Sequence, residues 1–105
     1  MNNTDFETVV VGRLAKIQLV MANKAVESSS DRDRLHDFKV AARISGSTPE
    51  KALWGMAMKH LVSVTDILDA VEGGRVPAPA LVDEKLGDMI NYLILLETLL
   101  VERQV

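Results

Sequence analysis

Apolar residues recur every three or four positions along most of this chain, and this spacing limits the available folds more than any other feature. Phe6, Val10, Leu14, Ile17 and Met21 show it near the start. No sustained alternation of apolar and polar residues, which would indicate strands, accompanies it, and aromatic residues make up only 4% of the chain. The pattern predicts an all-α protein.

Helix-start and helix-stop residues divide the chain into about four predicted helices. The short joins "SGSTPE" and "GGRVPAPA" between them predict an up-down helical bundle, in a single domain over residues 1–105. The predicted helices run from about Asp5 (with Thr4 as N-cap) to Val26, from Asp31 or Asp33 to Ile44, from Pro49 to Glu72, and from Ala80 to Arg103.

The second and third helices have predicted core faces, and the fourth has no polar face over much of its length. The predicted core positions of the second helix are Leu35, Phe38 and Ala42, and those of the third are Leu53, Met56, His60, Val64, Ile67 and Val71. Between Met89 and Val101 the fourth helix is apolar nearly all round. Because such a helix must be covered on every side, we expect homo-oligomerisation to complete the bundle.

Composition excludes several classes of protein. The net charge is −3, so no basic surface for duplex nucleic acid is expected, and the absence of cysteine excludes disulfides and thiolate metal sites. No apolar run is long enough to cross a membrane, and the first ten residues do not resemble a signal peptide. These features predict a cytoplasmic protein.

The fourth helix begins with acidic residues on the stripe that later becomes apolar. Glu84, Asp88, Asn91 and Leu95 share one helical face. Two carboxylates one turn apart repel each other, and a divalent cation would relieve this repulsion; Mg²⁺ commonly takes one or two carboxylates together with ligand phosphates. The alternative is that both acids are solvated and interact favourably with the helix dipole.

His60 lies on the predicted inner stripe of the third helix, where a histidine is either a core residue or a ligand-binding group. Lys59 follows a neighbouring polar stripe with Ser63 and Asp66. Lys59 and His60 together offer donors suited to a phosphate group.

The segment "DRDRLHDFK" concentrates charge between Asp31 and Lys39. Such a run is typical of a solvated surface. The functional alternative is a helix start whose basic side chains hold an anion.

Three segments in this order, "ESSSDRDRLHDFK", "TPEKALWGMAMKH" and "DEKLGDMINYLILLE", resemble a family of small phage and prophage proteins. That family is similar to the nucleotide-modification-associated domains and to the MazG-like all-α nucleotide pyrophosphohydrolases. The resemblance covers about Lys24 to Glu97 and implies a phage-type MazG-like domain that acts in the host cytoplasm.

The resemblance also implies a site. In this site, Glu84 and Asp88 would hold Mg²⁺. The ligand would be a nucleotide or another phosphate-bearing small molecule. It would contact Lys59, His60, Asn91, Asp33, His36 and Lys39. The implied activity is Mg²⁺-dependent hydrolysis of a nucleotide to release pyrophosphate, or nucleotide binding without hydrolysis.

Departures from the family pattern keep other functions open. The third helix has Lys59-His60 where MazG-like enzymes carry a Glu-Glu-x-x-Glu motif. One alternative is a non-catalytic homo-oligomer that sequesters a nucleotide signal or holds a protein partner. Another is a structural oligomer whose polar stripe is only solvated.

Overall fold

The computed structural model describes residues 1–27, 33 and 35–105, apart from the side chains of residues 23–27. The described residues form four helices and no strand, which confirms the predicted all-α helical class. The helices are α1 (Asn3–Glu27), α2 (His36–Ser45), α3 (Pro49–Glu72) and α4 (Pro79–Arg103). The predicted helix start at Asp31 lies outside the described residues, as does most of the join before it.

No helix in the part of the chain that the structure describes is both long enough and apolar enough to cross a bilayer.

The chain divides into two compact units, Met1–Arg34 and Leu35–Val105. The first contains α1, and the second contains α2, α3 and α4. The single domain expected over residues 1–105 therefore stays a prediction.

The α1 helix begins two residues earlier than predicted because Asn2, not Thr4, caps it. The Asp5 backbone N–H donates a hydrogen bond of 2.8 Å to Asn2 Oδ1, so the predicted Thr4 cap is wrong and Thr4 lies within the helix. Phe6, Leu14 and other large apolar side chains of α1 are exposed.

The α2 helix begins at His36, later than predicted, and buries the predicted residues Leu35, Phe38 and Ala42 along or beside its first turns. The last helical residue is Ser45, and Gly46 follows it as the C-cap. The φ of Gly46 is 69°, a left-handed value that suits glycine because no Cβ is present to clash.

The α3 helix has the predicted bounds. Thr48 caps it by accepting a hydrogen bond of 3.2 Å from the Lys51 backbone N–H. The predicted inner stripe is wrong at two positions, because Met56 is 37% exposed and Val71 is 50% exposed, while Ala57 is fully buried. Small Ala57 lets the neighbouring helices pack closely against α3, whereas Met56 lies at the side of the contact.

The α3 helix packs against both α2 and α4, and the core lies where the three meet. Leu35 and Phe38 from α2 and the turn before it pack there with Leu53 of α3 and Leu99 of α4. Burying each such side chain contributes roughly 1.5–3 kcal/mol to folding. Leu53 lies near the start of α3 and Leu99 near the end of α4, so these two helices run antiparallel, as predicted for an up-down bundle.

Candidate functional site

The acidic stripe of α4 passes from solvent into the core. The Glu84 side chain is 64% exposed and the Asp88 side chain 39% exposed. Leu95 packs against the core cluster, and Leu99 is 3% exposed. The polar end of the stripe lies beside the middle and second half of α3, whereas the Leu99 end lies beside the core formed with α2.

Asp88 meets the inner face of α3 at His60. Asp88 Oδ2 lies 3.6 Å from His60 Nδ1, and the His60 side chain is only 14% exposed. Protonated His60 and ionised Asp88 would attract each other at this distance. A residue that the sequence placed on an apolar stripe therefore has a carboxylate partner on the next helix.

Tyr92, one turn after Asp88, completes this group. Its ring centroid lies 4.8 Å from that of His60, with an interplanar angle of 41°. On the α2 side, Phe38 meets Tyr92 edge-on, with centroids 6.4 Å apart. Tyr92 was not among the predicted site residues, although its i+4 spacing from Asp88 places both on one helical face.

Glu84 is accompanied by Lys85, whose Nζ lies 3.4 Å from Glu84 Oε1. Each of the two stacked acids thus has a potential positive partner, Lys85 for Glu84 and His60 for Asp88. Lys85 reduces the repulsion between the carboxylates without a metal ion, and a protonated His60 would add to this effect.

Asn91 carries an unsatisfied polar atom. Its Oδ1 is buried and accepts no hydrogen bond. Leaving a buried acceptor unpaired costs about 1–3 kcal/mol, so a donor that reached this oxygen would bind favourably. Asn91 shares its helical face with Asp88 and Glu84, and the unpaired atom therefore belongs to the polar end of α4.

The other predicted ligand-binding residues differ in exposure and in the contacts they make. Lys59 is exposed, His36 is half-buried at the first position of α2, and Asp33 is exposed before that helix. Lys39 Nζ lies 2.6 Å from Glu102 Oε1. Glu102 is about 21 Å further along the axis of α4 than Asp88, from the 1.5 Å rise per residue, so Lys39 is not brought to the acidic end.

Residues that could hold a metal ion are few. No group of three or more His, Asp or Glu side chains in metal-binding geometry occurs among the described residues. Glu84 and Asp88 fit a Mg²⁺ ion only if a ligand, such as a phosphate, supplies much of the remaining coordination.

Two ion pairs that the sequence analysis missed join the far end of α4 to the other helices. Arg103 donates to both Glu50 carboxylate oxygens, one of these bonds measuring 2.9 Å between Nη2 and Oε1, and Lys39 pairs with Glu102. The hydrogen bond from Arg103, together with the positive charge of its guanidinium, lowers the pKa of the Glu50 carboxyl below its ordinary value. The sequence did offer a signal for the Glu50–Arg103 pair, because an acid lies in the first turn of α3 and a base in the last turn of α4.

Comparison with models of protein families, with curated proteins and with solved structures found no significant match.

Proposed function

We propose that this protein is a cytoplasmic, nucleotide-binding relative of the MazG-like group, and that the nucleotide lies against the polar end of α4. The observation that carries the proposal is the unpaired, buried Asn91 Oδ1 on the same face as Asp88 and Glu84. A nucleobase amino group is a donor of the kind this oxygen lacks. The phosphates would be held through Mg²⁺ at the carboxylates, with Lys59 at the edge of the site.

Binding without hydrolysis is the form of the proposal that the geometry favours. MazG-like hydrolysis uses clustered carboxylates to hold Mg²⁺, which activates water and neutralises phosphate charge. Here two carboxylates lie on one helix, and one of them faces His60. Pyrophosphate release is the second candidate, supported by the stacked pair Glu84 and Asp88.

The protein is also proposed to be a homo-oligomer. Leu86, Leu93 and Leu100 follow one another every seven residues in α4, and they are 38%, 47% and 47% exposed. A seven-residue apolar repeat is typical of helices that pack against another helix as in a coiled coil. A second copy of α4 would cover this seam.

A thermal-shift screen of nucleotides with and without Mg²⁺ tests the proposed site. A ligand that binds only the folded protein stabilises it by about 2.7 kcal/mol when present at 100 times its Kd. We expect at least one nucleotide to raise the melting temperature, and to raise it further with Mg²⁺. The same nucleotide should have little effect on Asp88→Asn.

Asp69→Asn is the matched control, because Asp69 is an exposed acid on α3. It should respond as the wild-type protein does. An equal response of Asp88→Asn and wild type would remove the acids from the site, and a screen without any stabilising nucleotide would leave only a structural oligomer or a protein-binding role. Measuring pyrophosphate release with the best ligand decides between binder and enzyme.

A further inference from the structure

A concave surface lies beside the turn between α3 and α4. It is a cavity of about 400 Å³ between the second half of α3, residues 75–78 and the first half of α4. Ligand pockets commonly start at about 300 Å³, so this volume suffices for a small molecule. None of its lining residues belongs to the proposed nucleotide site.

The cavity has an apolar floor. Ile67 and Ala70 of α3 are half-buried, and Leu81 of α4 lines the opposite side. Pro77, also half-buried, closes the end at the turn. A ligand that fills this space must carry an apolar body, since these side chains offer no hydrogen-bonding groups.

Charged side chains lie around the cavity. Arg75 and Lys85 are basic, and Asp66 is the acid among the lining residues. Arg75 is exposed and forms no ion pair within the described part of the chain, whereas Lys85 is already near Glu84. Glu84 partly offsets the charge of Lys85, so the Arg75 guanidinium, with its full set of donors, is the main group available to an anion.

Two of these lining residues belong to a pattern visible in the sequence. Ser63 and Asp66 continue the polar stripe that Lys59 begins on α3, and the proposed nucleotide site leaves both unused. The Ser63 hydroxyl donates to the Lys59 carbonyl oxygen at 3.1 Å, and its oxygen still has capacity to accept a hydrogen bond. The polar stripe of α3 therefore continues along one side of the cavity.

We propose that this cavity binds a small organic anion, with an apolar body on Ile67, Ala70 and Leu81 and a carboxylate, sulfonate or phosphate group at Arg75 and Lys85. A guanidinium meets such groups through paired, charge-assisted hydrogen bonds. The two proposed sites share no residue, but Lys85 of this cavity lies 3.4 Å from Glu84 of the other site. Arg75, which makes no such contact with any described residue, is therefore the residue whose replacement tests this cavity alone.

Fluorescence titration of the full chain with 1-anilinonaphthalene-8-sulfonate, an apolar ring system with one sulfonate, tests this proposal. We expect Arg75→Gln and Lys85→Gln each to weaken binding of this dye, and the double variant to weaken it by about ten- to a hundredfold, as expected for lost charge-assisted contacts. Arg75 is exposed, so its replacement should leave the urea unfolding curve unchanged.

Arg43→Gln is the matched control. Arg43 is also exposed, but it lines a different cavity, at the end of the bundle where Glu50 meets Arg103. It should bind the dye as the wild-type protein does. Equal weakening in Arg43→Gln would show general charge attraction, and unchanged affinity in the double variant would show dye bound to other apolar surface; either result overturns the proposal.

Competition separates the anionic group from the apolar body. Octanoate should displace the bound dye, whereas octanamide, which has the same chain without the charge, should displace it at least tenfold less effectively. Equal displacement by the two compounds would contradict an anion-specific site. Asp88→Asn should bind the dye normally, so failure of the nucleotide proposal and failure of this one give different results.

Discussion

At the scale of single residues, position on a helix decides between neighbours that look alike in the sequence. Lys59 and His60 are adjacent, yet a step of about 100° round the helix separates them. Lys59 is exposed, while His60 is largely buried between Asp88 and Tyr92. The same dipeptide therefore contributes one surface charge and one packed ring.

This difference predicts unequal losses of stability. His60→Ala removes the ring that contacts Tyr92 and leaves Asp88 without its partner, so we expect the free energy of unfolding to fall by about 1–3 kcal/mol. Lys59→Ala, the matched neighbouring change, should alter it by no more than about 0.5 kcal/mol. Urea unfolding at neutral pH measures both. Equal losses would mean that His60 is not packed as described.

At the scale of helices, the two ends of the α3–α4 pair have different chemistry. Near the end of α4, Arg103 binds Glu50 and Lys39 binds Glu102, beside the core around Leu53. Near its start, the acids face a histidine and solvent. Antiparallel packing thus separates the end that holds the ion pairs from the end at which we propose ligand binding.

The Glu50–Arg103 pair predicts a dependence of stability on pH. The bond from Arg103 lowers the pKa of Glu50 in the folded protein below its ordinary value of 4.5. A lowered pKa means that the pair stabilises the fold above pH 4.5 and that this contribution is lost as the pH falls through the lower, folded value. Glu50→Gln should therefore be less stable than wild type at pH 7, with the difference narrowing towards zero in acid.

Urea unfolding between neutral and acidic pH measures this difference. Glu72→Gln is the control, because Glu72 is exposed at the other end of α3 and forms no ion pair among the described residues. The difference in stability between Glu72→Gln and the wild-type protein should not narrow in this way as the pH falls. A Glu50→Gln deficit that stays constant with pH would indicate lost packing and no electrostatic contribution.

At the scale of the whole molecule, exposed apolar surface is the main feature. In α3, Trp54, Val62 and Leu68 are 41%, 59% and 61% exposed, and α4 presents the repeat of Leu86, Leu93 and Leu100. Large apolar side chains that stay exposed can mark an interaction site when they lie side by side, as the seven-residue repeat of α4 would place its three leucines. This exposed surface supports the proposed homo-oligomer without depending on any ligand.

A charge placed in the α4 repeat should dissociate the oligomer. We expect the wild-type protein to be a dimer or larger at micromolar concentration, and Leu93→Glu to be a folded monomer, because Leu93 is half-exposed and lies outside the core. Thr98→Glu adds the same charge at another exposed position of α4 and should leave the oligomer intact. Light scattering together with circular dichroism reports mass and folding. A stable wild-type monomer would rule out the proposed assembly.

The sequence alone determined the local features. Helical periodicity, Thr48, Gly46 and the Gly73-Gly74 pair defined the all-α class, both ends of α3 and the buried residues Leu35, Phe38 and Ala42, and the structure confirms them. These features depend on neighbours within one or two turns, where the spacing and type of residue decide the outcome. The acidic face of α4 was visible for the same reason.

Only the tertiary structure decided which faces meet. His60 lies beside Asp88, and Arg75 and Lys85 line one cavity, because α3 and α4 pack antiparallel in one register. Lys39 lies beside Glu102 because α2 also packs against α3. The register of α3 and α4 follows from the length of the turn at residues 73–78 and from how the core side chains interlock. No local pattern encodes it, since a shift of one turn would keep every helix and still replace the partner of each side chain.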